Sequence, residues 1–121
     1  MKIWALICLL LLVGCGNSVE SEKVVDGVYF VTYDEMMALA KEEDVVIVDV
    51  RTRVEYDAGH IEGSILIPHD QVVYRLSELE DYQKLVLYCG TTKRALEAYE
   101  DIKDSFQVYI FEGGYNTCAK C

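Results

Sequence analysis

The sequence of 121 residues is poor in proline and in basic residues, and both shortages limit what the chain can be. Pro68 is the only proline, and no internal repeat or low-complexity tract is present, which excludes a disordered chain. Lysine and arginine total 11 against 21 acidic residues, so no basic stripe is available to neutralise the phosphates of a nucleic acid. With 52% hydrophobic residues, the length suffices for one folded domain and is too short for two separate cores.

A long hydrophobic run is also missing, since the apolar stretch at 3–13 is well short of the roughly 20 residues that span a bilayer. A short apolar stretch at this position is typical of a secretory signal. It ends in the letters LVGC, which resemble the bacterial lipobox, whose cysteine is lipidated and becomes the first mature residue. We therefore predict a signal peptide at 1–14, a lipidated Cys15 with a polar tether to residue 23, and a domain over 24–121. This places the domain in the bacterial cell envelope, lipid-anchored outside the cytoplasmic membrane; an ordinary signal peptide with an incidental cysteine is the alternative.

Short apolar runs rich in β-branched and aromatic residues recur along the rest of the chain and predict strands buried on both faces. Helical patterns lie between them: Thr32 stands three residues before Glu35, the spacing of a capping box, and an apolar stripe of helical period follows Arg94. This alternation predicts an α/β sandwich with a largely parallel sheet, in which ligands bind at the carboxyl ends of the strands. The predicted strands cover 28–31, 45–48, 65–67, 85–88 and 108–111.

Cys89 directly follows the fourth predicted strand and precedes a predicted helix. We therefore expect its sulfur at the carboxyl edge of the sheet, beside backbone N–H groups and the positive end of the helix. Lys93 and Arg94 follow closely, and such cations favour a reactive thiolate. A buried structural cysteine is the alternative, because cysteine is among the most buried residue types. The glycine and the two cations after Cys89 favour a functional cysteine, since a core position needs neither.

The stretch VVIVDVRTRVEYDAGHIEGSILIP at 45–68 resembles the N-terminal signature of rhodanese-like domains. The loop after Cys89 and the letters FEGGY at 111–115 match the same family in order and spacing. The resemblance implies a three-layer α/β/α sandwich with a mostly parallel five-stranded sheet. It also implies sulfurtransferase activity.

In this family a cysteine takes a sulfane sulfur from a donor such as thiosulfate, holds it as a persulfide and passes it to a thiophilic acceptor. The resemblance therefore implies that Cys89 is the nucleophile, that the donor is a small sulfur-containing anion and that the acceptor is a thiol. Backbone amides and the guanidinium of Arg94 would hold the donor. No metal or organic cofactor is required, and we expect the chain to act as a monomer. The implied substrate-binding loop consists of Gly90, Thr91, Thr92, Lys93 and Arg94.

The length of this loop separates sulfur transfer from its nearest rival on the same fold. Phosphatases and arsenate reductases carry a loop one residue longer, wide enough for a tetrahedral oxyanion, whereas only the four residues 90–93 separate Cys89 from Arg94.

Two departures from the family leave open a module that binds sulfur or a protein partner without turnover. Active members often carry arginine in place of Gly90 and glycine in place of Thr92. If the loop requires a positive φ there, the β-branched Thr92 is strained.

Four side chains outside the loop have structural interpretations. Arg51 and Glu55 are four residues apart and are expected to pair at the start of a short helix. His60 is expected to form a structural hydrogen bond, because no second ligand stands at metal spacing. His69 is expected at the surface.

Cys118 and Cys121 form a C-x-x-C sequence near the end of the chain. No histidine follows, as a c-type haem site would require, and a zinc site would need a second cysteine pair. One hypothesis is a local disulfide or two idle thiols. The other is a redox pair, carried on one face of a helix after Gly114, that exchanges with a persulfide on Cys89 or makes the chain a thiol-disulfide protein.

Overall fold

A computed structural model describes residues 23–121, which form one six-stranded sheet in the order β1-β2-β6-β5-β3-β4. Each pair of neighbouring strands is parallel except β1 and β2, which form an antiparallel hairpin. The strands are β1 (Lys23–Val25), β2 (Val28–Val31), β3 (Val45–Asp49), β4 (Ile65–Leu66), β5 (Lys84–Tyr88) and β6 (Gln107–Phe111).

All five predicted strands are present, and β1 adds a sixth at the edge of the sheet beside β2. Sequence patterns missed β1 because its three residues are all exposed and therefore lack the alternation of a half-buried strand. The sequence does contain a hairpin signal, an Asp-Gly pair between two valine-containing runs. In the structure Asp26 and Gly27 both adopt the positive φ that such a tight turn requires. Lys23, assigned to the tether from the sequence, lies in this strand.

Three α-helices lie between the strands: α1 (Tyr33–Leu39), α2 (Arg53–Ala58) and α3 (Lys93–Ile102). The side chain of Thr32 caps α1 by accepting a hydrogen bond from the Glu35 amide. The complete capping box belongs to α2, where Thr52 and Glu55 bond each other's backbone N–H groups. Short 3₁₀ turns cover Val72–Tyr74, Leu76–Leu79 and Tyr115–Thr117.

Apolar side chains cover both faces of the sheet, so the core of the domain consists of two clusters, one on each face. Alternate residues of one strand point to opposite faces, so Leu85 and Leu87 pack with α3 while Val86 and Tyr88 pack on the side of α1. The arrangement confirms the predicted three-layer α/β/α sandwich with a mostly parallel sheet. Cys89 continues the alternation and belongs to the core beneath α3.

Across residues 23–121, no helix has the length and apolar character needed to cross a membrane. The predicted signal peptide, Cys15 and all of the tether before Lys23 lie outside the described residues.

Candidate active site

Cys89 stands at the carboxyl end of β5, at the sheet edge where the sequence places it. It is fully buried, and it is the only free cysteine within residues 23–121. Its carbonyl oxygen accepts a hydrogen bond from the Tyr115 amide at 2.8 Å, and the Gly90 carbonyl accepts one from the Asn116 amide at 2.9 Å. These two bonds fasten the start of the cysteine loop to the segment that follows β6. The loop then enters α3 at Lys93, with Thr92 as the N-cap residue.

Arg94 lies in the first turn of α3 and joins the loop to α2. Its two terminal nitrogens donate to the two carboxylate oxygens of Glu55 at 2.6 and 2.9 Å. These hydrogen bonds lower the pKa of Glu55 to about 2, and they raise the pKa of Arg94, with a smaller contribution from Cys89. The guanidinium is therefore bound to a fixed carboxylate, and it lies near enough to Cys89 for the cysteine to contribute to its raised pKa. Glu55 therefore belongs to this site, whereas the sequence indicated a pair between Glu55 and Arg51.

The expected pair of Arg51 with Glu55 is wrong, because Arg51 precedes α2 and does not share a helical face with Glu55. Arg51 is buried and donates to the carboxylate of Asp49, with its Nε at 3.0 Å from both oxygens and one terminal nitrogen at 2.7 Å. Its guanidinium also lies 4.2 Å from the ring centroid of Tyr115. Arg51 thus supports the residue whose amide bonds the Cys89 carbonyl.

Gly90 is required for space and not for an unusual backbone, since its φ is not positive. A Cβ at this position would lie 2.8 Å from Nδ2 of Asn116 and 3.3 Å from a terminal nitrogen of Arg94. The amide of Asn116 therefore lies beside the position after the cysteine. Sequence reasoning missed Asn116, because no local pattern shows that the segment after β6 lies against this loop.

Thr92 is not strained, which removes the doubt that the sequence raised. Its φ is −127°, an ordinary value for a β-branched residue, and Asp26 is the one non-glycine residue with positive φ between residues 23 and 121. Thr91 and Lys93 are exposed, and the hydroxyl of Thr91 accepts a long hydrogen bond of 3.4 Å from the Lys93 amide. The altered loop is therefore compatible with a regular entry into α3.

The two histidines lie outside the loop. His60 Nδ1 lies 2.8 Å from the Tyr56 carbonyl and its ring stacks on the Tyr56 ring, which confirms a structural role. His69 is partly exposed, with Nε2 at 3.5 Å from a carboxylate oxygen of Glu97 in α3. Among the described residues, no group of three or more His, Cys, Asp or Glu side chains could hold a metal ion.

Cys118 and Cys121 are joined in a disulfide with a Cα separation of 5.4 Å. The expected helix after Gly114 is wrong, since only a 3₁₀ turn forms and it ends at Thr117. Cys118 packs against the core on the side of α1, whereas Cys89 belongs to the core beneath α3. The pair therefore forms the local disulfide of the first hypothesis, and in this state it offers no free thiol to a persulfide on Cys89. Cys118 also lines an open groove of about 300 Å³ beside Tyr33 and Phe111.

Comparisons with known proteins agree with this geometry. The sequence model of the family described as Rhodanese-like domain matches residues 32–121. A thiosulfate sulfurtransferase of Pseudoalteromonas translucida is 30% identical over 83 residues, covering 67% of this chain and 79% of that protein. An HTH-type transcriptional regulator of Mycobacterium tuberculosis is 41% identical over 59 residues, which cover 49% of this chain but only 26% of the regulator.

Among solved structures, a human single-domain sulfurtransferase superposes with a TM-score of 0.61. The sequences are 23% identical, and the match covers 72% of this chain and 91% of the human chain. At this identity the likeness establishes the fold alone. The arrangement of strands around the cysteine loop is therefore shared with a protein that consists of a single such domain.

Proposed function

The chain belongs to the rhodanese-like domain family, and we propose that it is a sulfurtransferase in which Cys89 carries the transferred sulfur as a persulfide. The single observation that carries this proposal is the position of Cys89, a free cysteine at the carboxyl edge of the sheet with Arg94 beside it. Sulfurtransferases among the matched relatives support the reaction class.

The proposed first step is attack of the Cys89 thiolate on the sulfane sulfur of the donor. With thiosulfate, a bond forms between Sγ and that sulfur, the donor's sulfur–sulfur bond breaks, and sulfite leaves with the electron pair. In this proposed step the backbone N–H groups at the start of α3 and the guanidinium of Arg94 would stabilise the negative charge of the reacting sulfur atoms, a role supported by the position of Arg94 in the first turn of α3. In the second step an acceptor thiolate attacks the outer sulfur, and Cys89 leaves as the thiolate.

The six-residue loop from Cys89 to Arg94 supports sulfur transfer over phosphoryl transfer. The close approach of Asn116 and Gly114 to the loop leaves it little freedom to widen around a tetrahedral oxyanion. The discharge of sulfur by an acceptor distinguishes the enzyme from a binding module without turnover. The binding module would keep its persulfide when cyanide is added as acceptor.

The test is intact-mass analysis of the purified chain after incubation with a sulfane-sulfur donor. We expect one added sulfur atom in the wild type and none in Cys89→Ser, followed by loss of that atom with formation of thiocyanate when cyanide is added. Addition of sulfur to Cys89→Ser would contradict the assignment of Cys89. A stable adduct that cyanide does not discharge would favour the binding module.

We also propose that Cys15 is lipidated and anchors the domain in a bacterial envelope, a proposal supported by the LVGC letters and the polar residues after them. Expression in a bacterium should give a membrane-bound form that Cys15→Ala converts to an unlipidated precursor. Unchanged detergent partitioning of Cys15→Ala would contradict the anchor.

A further inference from the structure

The charge of Arg94 is already compensated before any donor arrives. Both carboxylate oxygens of Glu55 accept from its guanidinium at 2.6 and 2.9 Å, so the pair is bidentate. Glu55 cannot readily turn away, because its Oε1 also accepts hydrogen bonds from the amide and hydroxyl of Thr52 in the capping box of α2. A negative charge is therefore held rigidly beside the cysteine loop.

The position after the cysteine adds no second cation. Gly90 has no side chain, and the neutral amide of Asn116 lies where a side chain would begin. With Cys89 ionised, the thiolate and Glu55 carry two negative charges against the single positive charge of Arg94. Lys93 is exposed at the outer end of the loop, and the whole chain carries a net charge of −10. The fixed carboxylate of Glu55 beside the loop therefore repels a dianionic donor more than a monoanionic one.

We propose that Glu55 makes the site selective for singly charged organic sulfane-sulfur donors, of the thiosulfonate or hydropersulfide class, over dianionic thiosulfate. This inference rests on the proposed function, since it concerns the donor for the same Cys89. With a thiosulfonate, the Cys89 thiolate attacks the terminal sulfur and a bond forms between the two sulfur atoms. The bond from that sulfur to the sulfonyl sulfur breaks, and the organic sulfinate leaves with the electron pair, so no external oxidant or reductant is needed.

Methanethiosulfonate anion and thiosulfate are the matched probes, because both donate a terminal sulfur bonded to an oxidised sulfur and they differ by one charge. The variant is Glu55→Gln, which removes the negative charge while keeping a side chain that completes a capping box. Glu100→Gln is the control, since Glu100 lies on α3 with the same charge and pairs with Lys103, away from the loop. The measured quantity is the ratio of kcat/KM for thiosulfate to kcat/KM for methanethiosulfonate, from which any change in thiol reactivity common to both donors cancels.

We expect Glu55→Gln to raise this ratio about fivefold, on the order of the effect of removing one unit charge from a partly screened site. Glu100→Gln should leave the ratio unchanged. In the wild type, added salt should raise the ratio as well, because screening weakens the repulsion of a dianion more than that of a monoanion. The salt measurement tests the inference even if Glu55→Gln does not fold.

An unchanged ratio in folded Glu55→Gln, or a wild-type ratio that does not respond to salt, would overturn the selectivity while leaving the persulfide mechanism intact. Absence of sulfur on Cys89 with both probes would overturn the proposed function, and the donor class with it. The two failures are therefore distinguishable in the same set of experiments.

Discussion

Gly114→Ala is expected to damage the cysteine loop from outside it. Gly114 follows β6 and adopts φ 71° and ψ −175°, a region of backbone conformation that is essentially restricted to glycine. A Cβ at this position would collide with the carbonyl oxygen of Thr91 and lie 2.6 Å from that of Gly90. Both obstacles are backbone atoms, which cannot rotate away as the end of a side chain can. Either the loop or the segment after β6 must therefore move.

The expected cost has two parts. The backbone conformation costs about 1–3 kcal/mol for a residue other than glycine, and overpacking against rigid neighbours adds about 1–3 kcal/mol. Gly63→Ala is the matched control, because Gly63 also has a positive φ of 83° but no atom within 4 Å of its Cβ position. That control carries a backbone cost alone, about 1 kcal/mol for a residue other than glycine at positive φ. The difference between the two variants isolates the collision with the loop.

Thermal unfolding and sulfur loading provide the two measurements. For a domain of about 100 residues, 1 kcal/mol corresponds to a change in Tm of about 5 °C, so we expect a loss of about 5 °C in Gly63→Ala and at least 10 °C in Gly114→Ala. Loading of Cys89 should fall by more than about tenfold in Gly114→Ala alone, since small displacements of a catalytic group are costly. Equal Tm values with undiminished loading would refute the reasoning.

Three further predictions follow from the ion pair, the buried tyrosine and the disulfide. Because the pKa of Glu55 is lowered from 4.5 to about 2 in the folded chain, the pair stabilises the fold fully above pH 4.5 and progressively less as pH falls towards 2. Urea unfolding should therefore show Glu55→Gln to be about 1 kcal/mol less stable than the wild type at pH 7, a figure reduced for solvent exposure. This loss of stability should disappear near pH 2, and a loss independent of pH would contradict the lowered pKa of Glu55. Tyr88→Phe leaves the buried amide of Ile61 without its acceptor, so urea unfolding should show a loss of about 1–3 kcal/mol, and an unchanged midpoint would refute it. Replacing Cys118 and Cys121 by serine should leave both the loading and the discharge of sulfur unchanged in assays stopped at fixed times, because the two cysteines are joined to each other and offer no free thiol to the persulfide; slowed discharge would support direct exchange.

The parts of the fold that local sequence patterns specify were predictable. A short run of β-branched and aromatic residues indicates each buried strand, and Thr32 three residues before Glu35 indicates the start of α1. The exposed strand β1 was not predictable in the same way, because its contribution is a hairpin with β2 and not the burial of an apolar face. The two-residue period of a strand puts Leu85, Leu87 and Cys89 on one face of the sheet, and the packing of α3 on that face places Cys89 beneath the helix.

The position of Cys89 was likewise predictable, but the partners around it were not. The i, i+4 rule favoured Arg51 with Glu55, yet that rule applies only where both residues are in one helix, and Arg51 lies before α2. Burial instead directs Arg51 to Asp49, where two oxygens compensate its charge. Glu55 is thereby left for Arg94, a residue distant in sequence that the parallel sheet brings to the same edge.

The departures of the loop from its family have their reason in the same long-range contacts. Gly90 lies against the side-chain amide of Asn116, and the segment after β6 approaches closely enough that Gly114 must also lack a side chain. An arginine after Cys89 would require Asn116 to move and would place a second cation next to Arg94. The chain has instead a neutral amide at that point and a fixed carboxylate on the other side of the loop. Both features lower the positive charge around the sulfur, so the altered residues are consistent with a change of donor and need not mean a loss of turnover.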